Sequence, residues 1–238
     1  MKIVSLVILM ALTIGSALAA ETMPESLIPL REAVFEHKLD EDGFYRLYNS
    51  AKAGIQGRYS GIEMDLALSR REYLMGKALQ DLGLNKQAIS HYDEGMKLAE
   101  KAVKEKPGAE AWLLRAENLS QLCSLRSVAY AMANGLDVEK FAKNSLNFDS
   151  RNANAQYLIA ARWVYAPAPF SNHTKGIEMM KDILENGDMD KDNYFNVYSS
   201  IGYGYVQQKK YSDARPWLLK ALEIYPTNKY ANELLDKK

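Results

Sequence analysis

Apolar residues recur at helical spacing along most of this chain. In "LDEDGFYRLYNSAKAGIQ", Phe44, Leu47, Tyr48 and Ala51 form one stripe. Asp40 is placed to cap it, acidic residues fill its first turn, and the helix is expected to end near Gly57. A second run, from Ile62 to Leu82, carries Leu66, Tyr73, Met75, Ala78 and Leu79 and breaks at Gly83. A third, from Lys86 to Lys104, places Ala88, Ile89, Tyr92, Met96, Ala99 and Val103 on one side, and Pro107 ends it. The next pair opens at "AEAWLLRAENLSQLCSLRSVAYAM", is expected to break at "ANGLD" and resumes at "VEKFAKNSLNF". "NAQYLIAARWVY" then stops at the prolines of "APAPF", and "KGIEMMKDIL" answers it with Ile177, Met180, Ile183 and Leu184. Residues 25–38 are less regular, with Pro24 and Pro29 interrupting, and predict a short, mobile helix. No alternating β-branched runs bounded by turn residues occur. The pattern predicts an all-α protein built of helix pairs.

Helix pairs in series call for a search for a period. With Phe195 as the first residue of a 34-residue unit, Tyr198, Ile201, Gly202, Tyr205, Tyr211, Ala214, Leu218, Ala221 and Pro226 fall on positions 4, 7, 8, 11, 17, 20, 24, 27 and 32. In this packing pattern Gly202 and Ala214 are expected to face each other, large residues fill the space around them, and Pro226 stops the second helix. The stretch resembles the tetratricopeptide repeat. Counted from Ser69, Met75, Gly76, Leu79, Ala88 and Tyr92 fit, but Glu72 stands where an aromatic belongs, Gly95 replaces Ala, and Pro107 arrives seven residues late. The second helix of that unit is therefore expected to be about two turns longer. Counts from Ala109 (Trp112, Ala116, Leu119) and from Ala153 (Ile159, Ala160, Trp163) give two further degenerate units. The resemblance covers residues 61–238 with about four units, that at 195–228 the clearest. It implies antiparallel pairs stacked in a right-handed superhelix, with residues 20–60 as an N-terminal helical cap.

Composition alters this picture at the start of the chain. "MKIVSLVILMALTIGSALAAE" puts Lys2 ahead of an apolar run from Ile3 to Ile14 and a small-residue tail, the pattern of a secretory signal peptide over residues 1–19 with cleavage after Ala19. The apolar run is shorter than the roughly 20 residues a spanning helix needs, so an uncleaved anchor is the alternative. An exported protein, periplasmic or secreted and without a membrane span after cleavage, is the expectation. Thirty basic residues balance 30 acidic ones, which gives nucleic acid no electrostatic purchase. The single cysteine, Cys123, lies in an apolar helical pattern and reads as a small buried residue.

Catalytic groupings are missing from the sequence. His37, His91 and His173 are far apart and read as surface histidines, His91 on the outer side of its helix and His173 in a polar loop. Asp188, Asp190 and Asp192 have the spacing that opens a calcium loop, yet Asn193 and Ser199 hold the places of its glycine and bidentate glutamate. A linker whose last aspartate caps the following helix is expected instead. "GIQGRYSG" has neither a lysine-serine ending nor a preceding strand and reads as a turn. No enzyme activity, metal or cofactor is expected.

Recognition then falls to surface shape. In the family that the chain resembles, the first helix of each pair lines a concave groove through positions 2, 5, 9, 12 and 13. Carried over, these give Arg70, Tyr73, Lys77 and Gln80; Leu113, Glu117 and Gln121; Asn154, Tyr157, Ala161, Val164 and Tyr165; and Asn196, Ser199, Tyr203 and Gln207. The lysine, arginine and asparagine set that clamps a C-terminal carboxylate in some members is not met, because Leu114 and Leu158 occupy its places. Tyr157, Trp163, Tyr165 and Phe170 are expected to form an aromatic surface beside the loop "APAPFSNHT", or alternatively to pack as core. The candidate binding residues are Tyr73, Lys77, Tyr157, Trp163, Tyr165, Phe170, Asn196 and Tyr203. The resulting reading is an exported, non-enzymatic protein that binds a protein or peptide. The alternative is an accessory that binds a small apolar ligand, from a resemblance of the broken repeats and "WVYAPAPF" to the periplasmic T component of TRAP transporters. A closed apolar cavity near Trp163 is the mark of that alternative, and an open groove the mark of the first.

Overall fold

The computed structural model describes residues 23–237. The expected signal peptide lies outside the described residues. After a 3-10 turn at Glu25–Leu27 come eleven α-helices: α1 (Ile28–Glu36), α2 (Glu41–Arg58), α3 (Gly61–Asp81), α4 (Asn85–Glu105), α5 (Ala109–Leu125), α6 (Val128–Leu146), α7 (Ala153–Tyr165), α8 (His173–Asn186), α9 (Lys191–Gln207), α10 (Tyr211–Ile224) and α11 (Lys229–Leu235). Among the described residues the only β pairing is an isolated bridge between Asn152 and Asp188. Consecutive helices pack against one another all along the chain, as the all-α pattern predicts.

Short polar residues start the helices by accepting otherwise unpaired backbone N–H groups. Asp40, Ser127, Asn152, Asn172 and Asn228 each accept from the residue three further on, at 2.9 to 3.2 Å. Asp190 does the same for α9 and is answered by Asn193, whose side chain accepts from the Asp190 N–H. The middle aspartate is thus the cap. Asp192, expected in that role, turns inward instead and is 8% exposed.

Two pairs turn through the same device. Gly83, between α3 and α4, has φ +78°, and Lys209, at the equivalent place between α9 and α10, has φ +58°. In each turn the next N–H closes back on the first helix, Leu84 onto Leu79 at 2.8 Å and Lys210 onto Tyr205 at 2.9 Å. Glycine adopts this backbone freely, whereas lysine holds it at a cost.

The expected pairing of Gly202 with Ala214 needs correction. A methyl group built on Gly202 would meet Leu218 at 2.5 Å, and one on Gly76 would meet Tyr92 at 2.5 Å. Both units therefore seat the large residue at position 24 on the glycine at position 8. Ala214 is also buried, beside Val206 and Leu218.

Three further expectations change. The break foreseen at "ANGLD" does not occur: α6 runs straight through it, and the turn falls at Arg126–Ser127, where Ser127 caps. His91 is not a surface residue. It bonds through Nδ1 to Glu72 Oε2 at 2.6 Å, and Glu72 also accepts from Tyr48 and Arg71. This buried cluster joins α2, α3 and α4 and explains why a carboxylate replaces the expected aromatic at position 72. Hydrogen bonds from these three groups, together with the Arg71 charge, outweigh burial and hold the Glu72 carboxyl below its usual pKa.

The third change concerns α1. Leu27, Leu30 and Val34 are buried against α2 and α3, so the helix is firmly packed. Its far end reaches the opposite end of the array: Phe35 packs with Phe195 and Tyr225, Asn228 donates to the Phe35 carbonyl at 2.9 Å, and Thr227 to that of Glu36 at 2.7 Å. Arg31 bonds Asp192, and Lys191 bonds Glu32 at 2.7 Å. The first helix thereby spans the gap between the first and last helix pairs.

Candidate functional site

Alternation decides which helices face inward. In a stack of antiparallel pairs, the first member of every pair falls on one side, and here those are the odd-numbered helices. With α1 bridging the ends and Tyr230 of α11 added, they surround a cavity of ≈ 1160 Å³. Of the sixteen groove positions carried over from the repeat pattern, fourteen line this cavity. The exceptions are Val164, buried against Ile177 and Met180, and Gln207, exposed at the end of α9.

The candidate residues divide accordingly. Tyr73, Lys77, Tyr157, Tyr165, Asn196 and Tyr203 line the cavity, whereas Trp163 and Phe170 do not. Trp163 lies on another side of α7, with the Lys175 ammonium 3.7 Å from its ring centre and Arg162 at 5.1 Å. Phe170, 55% exposed in the loop between α7 and α8, is neither core nor groove. The proposed single aromatic surface is therefore split, because residues 157 and 165 share one face of α7 and residue 163 does not. The loop itself does leave the helix ladder at Ala166, and Asn172 returns it by donating its N–H to the Trp163 carbonyl at 2.9 Å.

Tyrosines dominate the middle of the cavity. Ser200 Oγ bonds both Tyr165, at 2.8 Å, and Tyr157, at 3.1 Å. The Tyr165 ring stands 4.9 Å from that of Tyr203, which in turn stands 6.5 Å from Tyr230. Tyr165 keeps 39% of its area accessible although it lies deep in the molecule, because that area opens on the cavity. Burial raises the hydroxyl pKa of Tyr73, Tyr157 and Tyr165 well above the ordinary value, so these groups stay neutral donors at any physiological pH.

Charged side chains occupy the two flanks. On α3, Arg70 bonds Glu110 at 2.6 Å and also Glu117, both on α5. Burial, with Glu110 adding repulsion, outweighs the attraction of Arg70 and pushes the Glu117 carboxyl up to about 7. On the α1–α9 flank, Arg31 bonds Asp192 and lies 3.4 Å from Asp190, while Tyr225 donates to Asp192. His37, at the end of α1 with φ +53°, pairs with Asp81 at 3.2 Å and lines the cavity. It was missed as a site residue, and only its place beside a weak helix signal could have pointed to it. His173, at the first position of α8, stands 6.4 Å from the Tyr203 ring.

Among the described residues, no group of three or more histidine, cysteine or acidic side chains is placed to hold a metal ion. No described helix is long and apolar enough to cross a membrane.

No protein-family model matches the sequence, and no curated protein matches it. Among solved structures, the chain is similar to TTC0263, a thermophilic TPR protein of Thermus thermophilus. The superposition covers 88% of this chain and 99% of that one, with a TM-score of 0.54 and 17% identity. The fold is that of a tetratricopeptide-repeat protein. YrrB, a TPR protein with an unusual peptide-binding site, also aligns over 90% of this chain and 98% of its own, but its TM-score of 0.38 and 12% identity add nothing to that conclusion. The inner, odd-numbered helices of this repeat superhelix are those that carry the cavity.

Proposed function

We propose that this chain is an exported, non-enzymatic repeat protein that receives a segment of a partner protein in the cavity lined by its odd-numbered helices. The observation that carries this reading is the convergence of the groove positions of four successive units on one continuous space lined by tyrosine, amide and charged side chains. Tyrosine supplies large, rigid contact area at low entropic cost, and the amides add adaptable hydrogen bonds. At ≈ 1160 Å³ the space exceeds the roughly 300–1,000 Å³ of ordinary small-molecule pockets.

A second reading, an accessory that binds a small ligand for a periplasmic transport system, draws on α1, which walls the groove into a part-enclosed chamber. The apolar ligand expected under that reading is a poor match, since eight acidic side chains line the chamber and Trp163 lies outside it.

A photoreactive phenylalanine analogue at Tyr203, inside the cavity, and another at Phe170, outside it, test the proposal in protein exposed to its native exported fraction. Crosslinking of one polypeptide from position 203 but not from 170 is the expected result. Absence of any polypeptide adduct at 203, with a small molecule retained in native mass spectrometry, would transfer the assignment to the second reading. Export rests on residues 1–19 and is checked by sequencing the N-terminus of protein from its source, which should begin at Ala20.

A further inference from the structure

Twice around the cavity, one arginine serves two carboxylates. Arg70 is shared by Glu110 and Glu117, and Arg31 by Asp190 and Asp192. Each set keeps one surplus negative charge when all its groups are ionised, which for Glu117 means above about pH 7, and Glu117 and Asp192 are 5% and 8% exposed, where an unanswered charge is costly.

The remaining lining does not offset the surplus. Eight acidic side chains line the cavity, and the cations among them are Arg31, Arg70 and Lys77. His37 attends Asp81, and Arg151, which does not line the cavity, reaches Asp188 at 2.6 Å. Glu63 and Asp149 have no ion-pair partner among the described residues. The chain as a whole is neutral, 30 charges against 30, so the excess is a property of this surface.

Two uncharged features have the same polarity. Tyr73, Tyr157, Tyr165, Tyr203 and Tyr230 all line the space, and aromatic ring faces attract cations. Ser199, 3% exposed on the same wall, has a hydroxyl oxygen with no hydrogen-bond partner among the described residues. A buried oxygen in that state gains from an incoming N–H donor.

We infer that the cavity takes a positively charged segment, whose lysine or arginine side chains supply the missing cations beside the Glu110/Glu117 and Asp190/Asp192 pairs. This rests on the reading of the cavity as a peptide site and specifies its charge. The ammonium or guanidinium heads pair with the surplus carboxylates, their aliphatic stems lie along the tyrosine rings, and anionic segments are rejected.

Panning a display library of random peptides on the full chain, with spermidine titrated separately by calorimetry, tests both levels. Enrichment of lysine- and arginine-containing peptides is expected. For a selected peptide, Glu110→Gln and Asp190→Asn should each weaken binding by about tenfold or more. Both positions are partly exposed, and asparagine still caps α9, so these variants keep the fold. Enrichment without basic residues, or affinities that ignore both substitutions, would overturn the charge inference and leave the peptide site standing. Failure to enrich any peptide while spermidine binds would overturn the peptide reading and retain the cationic chemistry. Failure of both would remove both.

Discussion

Phe35, near the end of α1, lies flat on Tyr225, just beyond α10, with ring centres 5.0 Å apart and planes 14° apart. Phe195 meets both rings edge-on, at 5.6 and 5.3 Å. This three-ring contact joins the first helix to the last full pair, and Phe35→Ala should cost about 3–5 kcal/mol. Amide exchange in α1 should rise while α4 and α5 remain protected, as hydrogen-exchange mass spectrometry can measure.

The seat of Leu218 on Gly202 gives a second expectation. Gly202→Ala places a methyl group 2.5 Å from Leu218 and should destabilise the protein by about 1–3 kcal/mol, despite the better helix propensity of alanine. Adding Leu218→Val should recover part of the loss. Thermal melts of the two variants check both statements.

Glu117 makes stability fall as pH rises. Its carboxyl holds a proton up to about 7 in the folded chain, against 4.5 when unperturbed, so between these values the folded state binds more protons than the unfolded one. The contribution is complete below about 4.5 and lost as pH passes about 7. Arg70, Glu110, Lys77 and Tyr73 are the charged and titratable groups around it. Glu117→Gln keeps the shape and the acceptor for Arg70 while removing the proton. Denaturant melts at pH ~5.5 and ~8 should show a smaller stability loss in the variant than in the parent.

Tyr165→Phe and Phe170→Ala should behave oppositely. The first removes the hydroxyl bonded to Ser200 inside the protein and should cost about 0.5–1.5 kcal/mol. The second trims an exposed side chain and should change stability by less than about 0.5 kcal/mol. Crosslinking or titration with a cavity-bound peptide should likewise register Tyr165→Phe and not Phe170→Ala.

What could be read from the sequence was whatever repeats. Gly202, Leu218 and Pro226 announce a unit that recurs at Gly76 and Tyr92, and its register carries the inward-facing positions with it. The tie between Arg31, Phe35 and the last pair leaves no period, because each residue occurs once and its partner lies far along the chain. Burial of Asp192 was hidden for the same reason, since its partners Arg31 and Tyr225 come from two other parts of the chain. Asn134 and Gly135 carried a turn signal that helix packing overrode; the interior of α6 tolerates both. Val128, Met132 and Leu136 recur like a buried stripe and are 73%, 70% and 67% exposed on that outer helix. Periodicity reports which residues share a face, and only the neighbouring helix decides whether that face is covered.

An open array of repeats frays from its ends, each terminal unit being held by one neighbour only. Here α1 is anchored by side chains made much later, since Phe35 and Arg31 find Tyr225 and Asp192 only after α9 and α10 have been made. During synthesis α1 must wait for the segment from Asp192 to Asn228, and its closure is a long-range step that carries a loop-entropy cost. Once made, the contact ties the first described helix pair to the last, so that loosening α1 should be felt at α9 and α10.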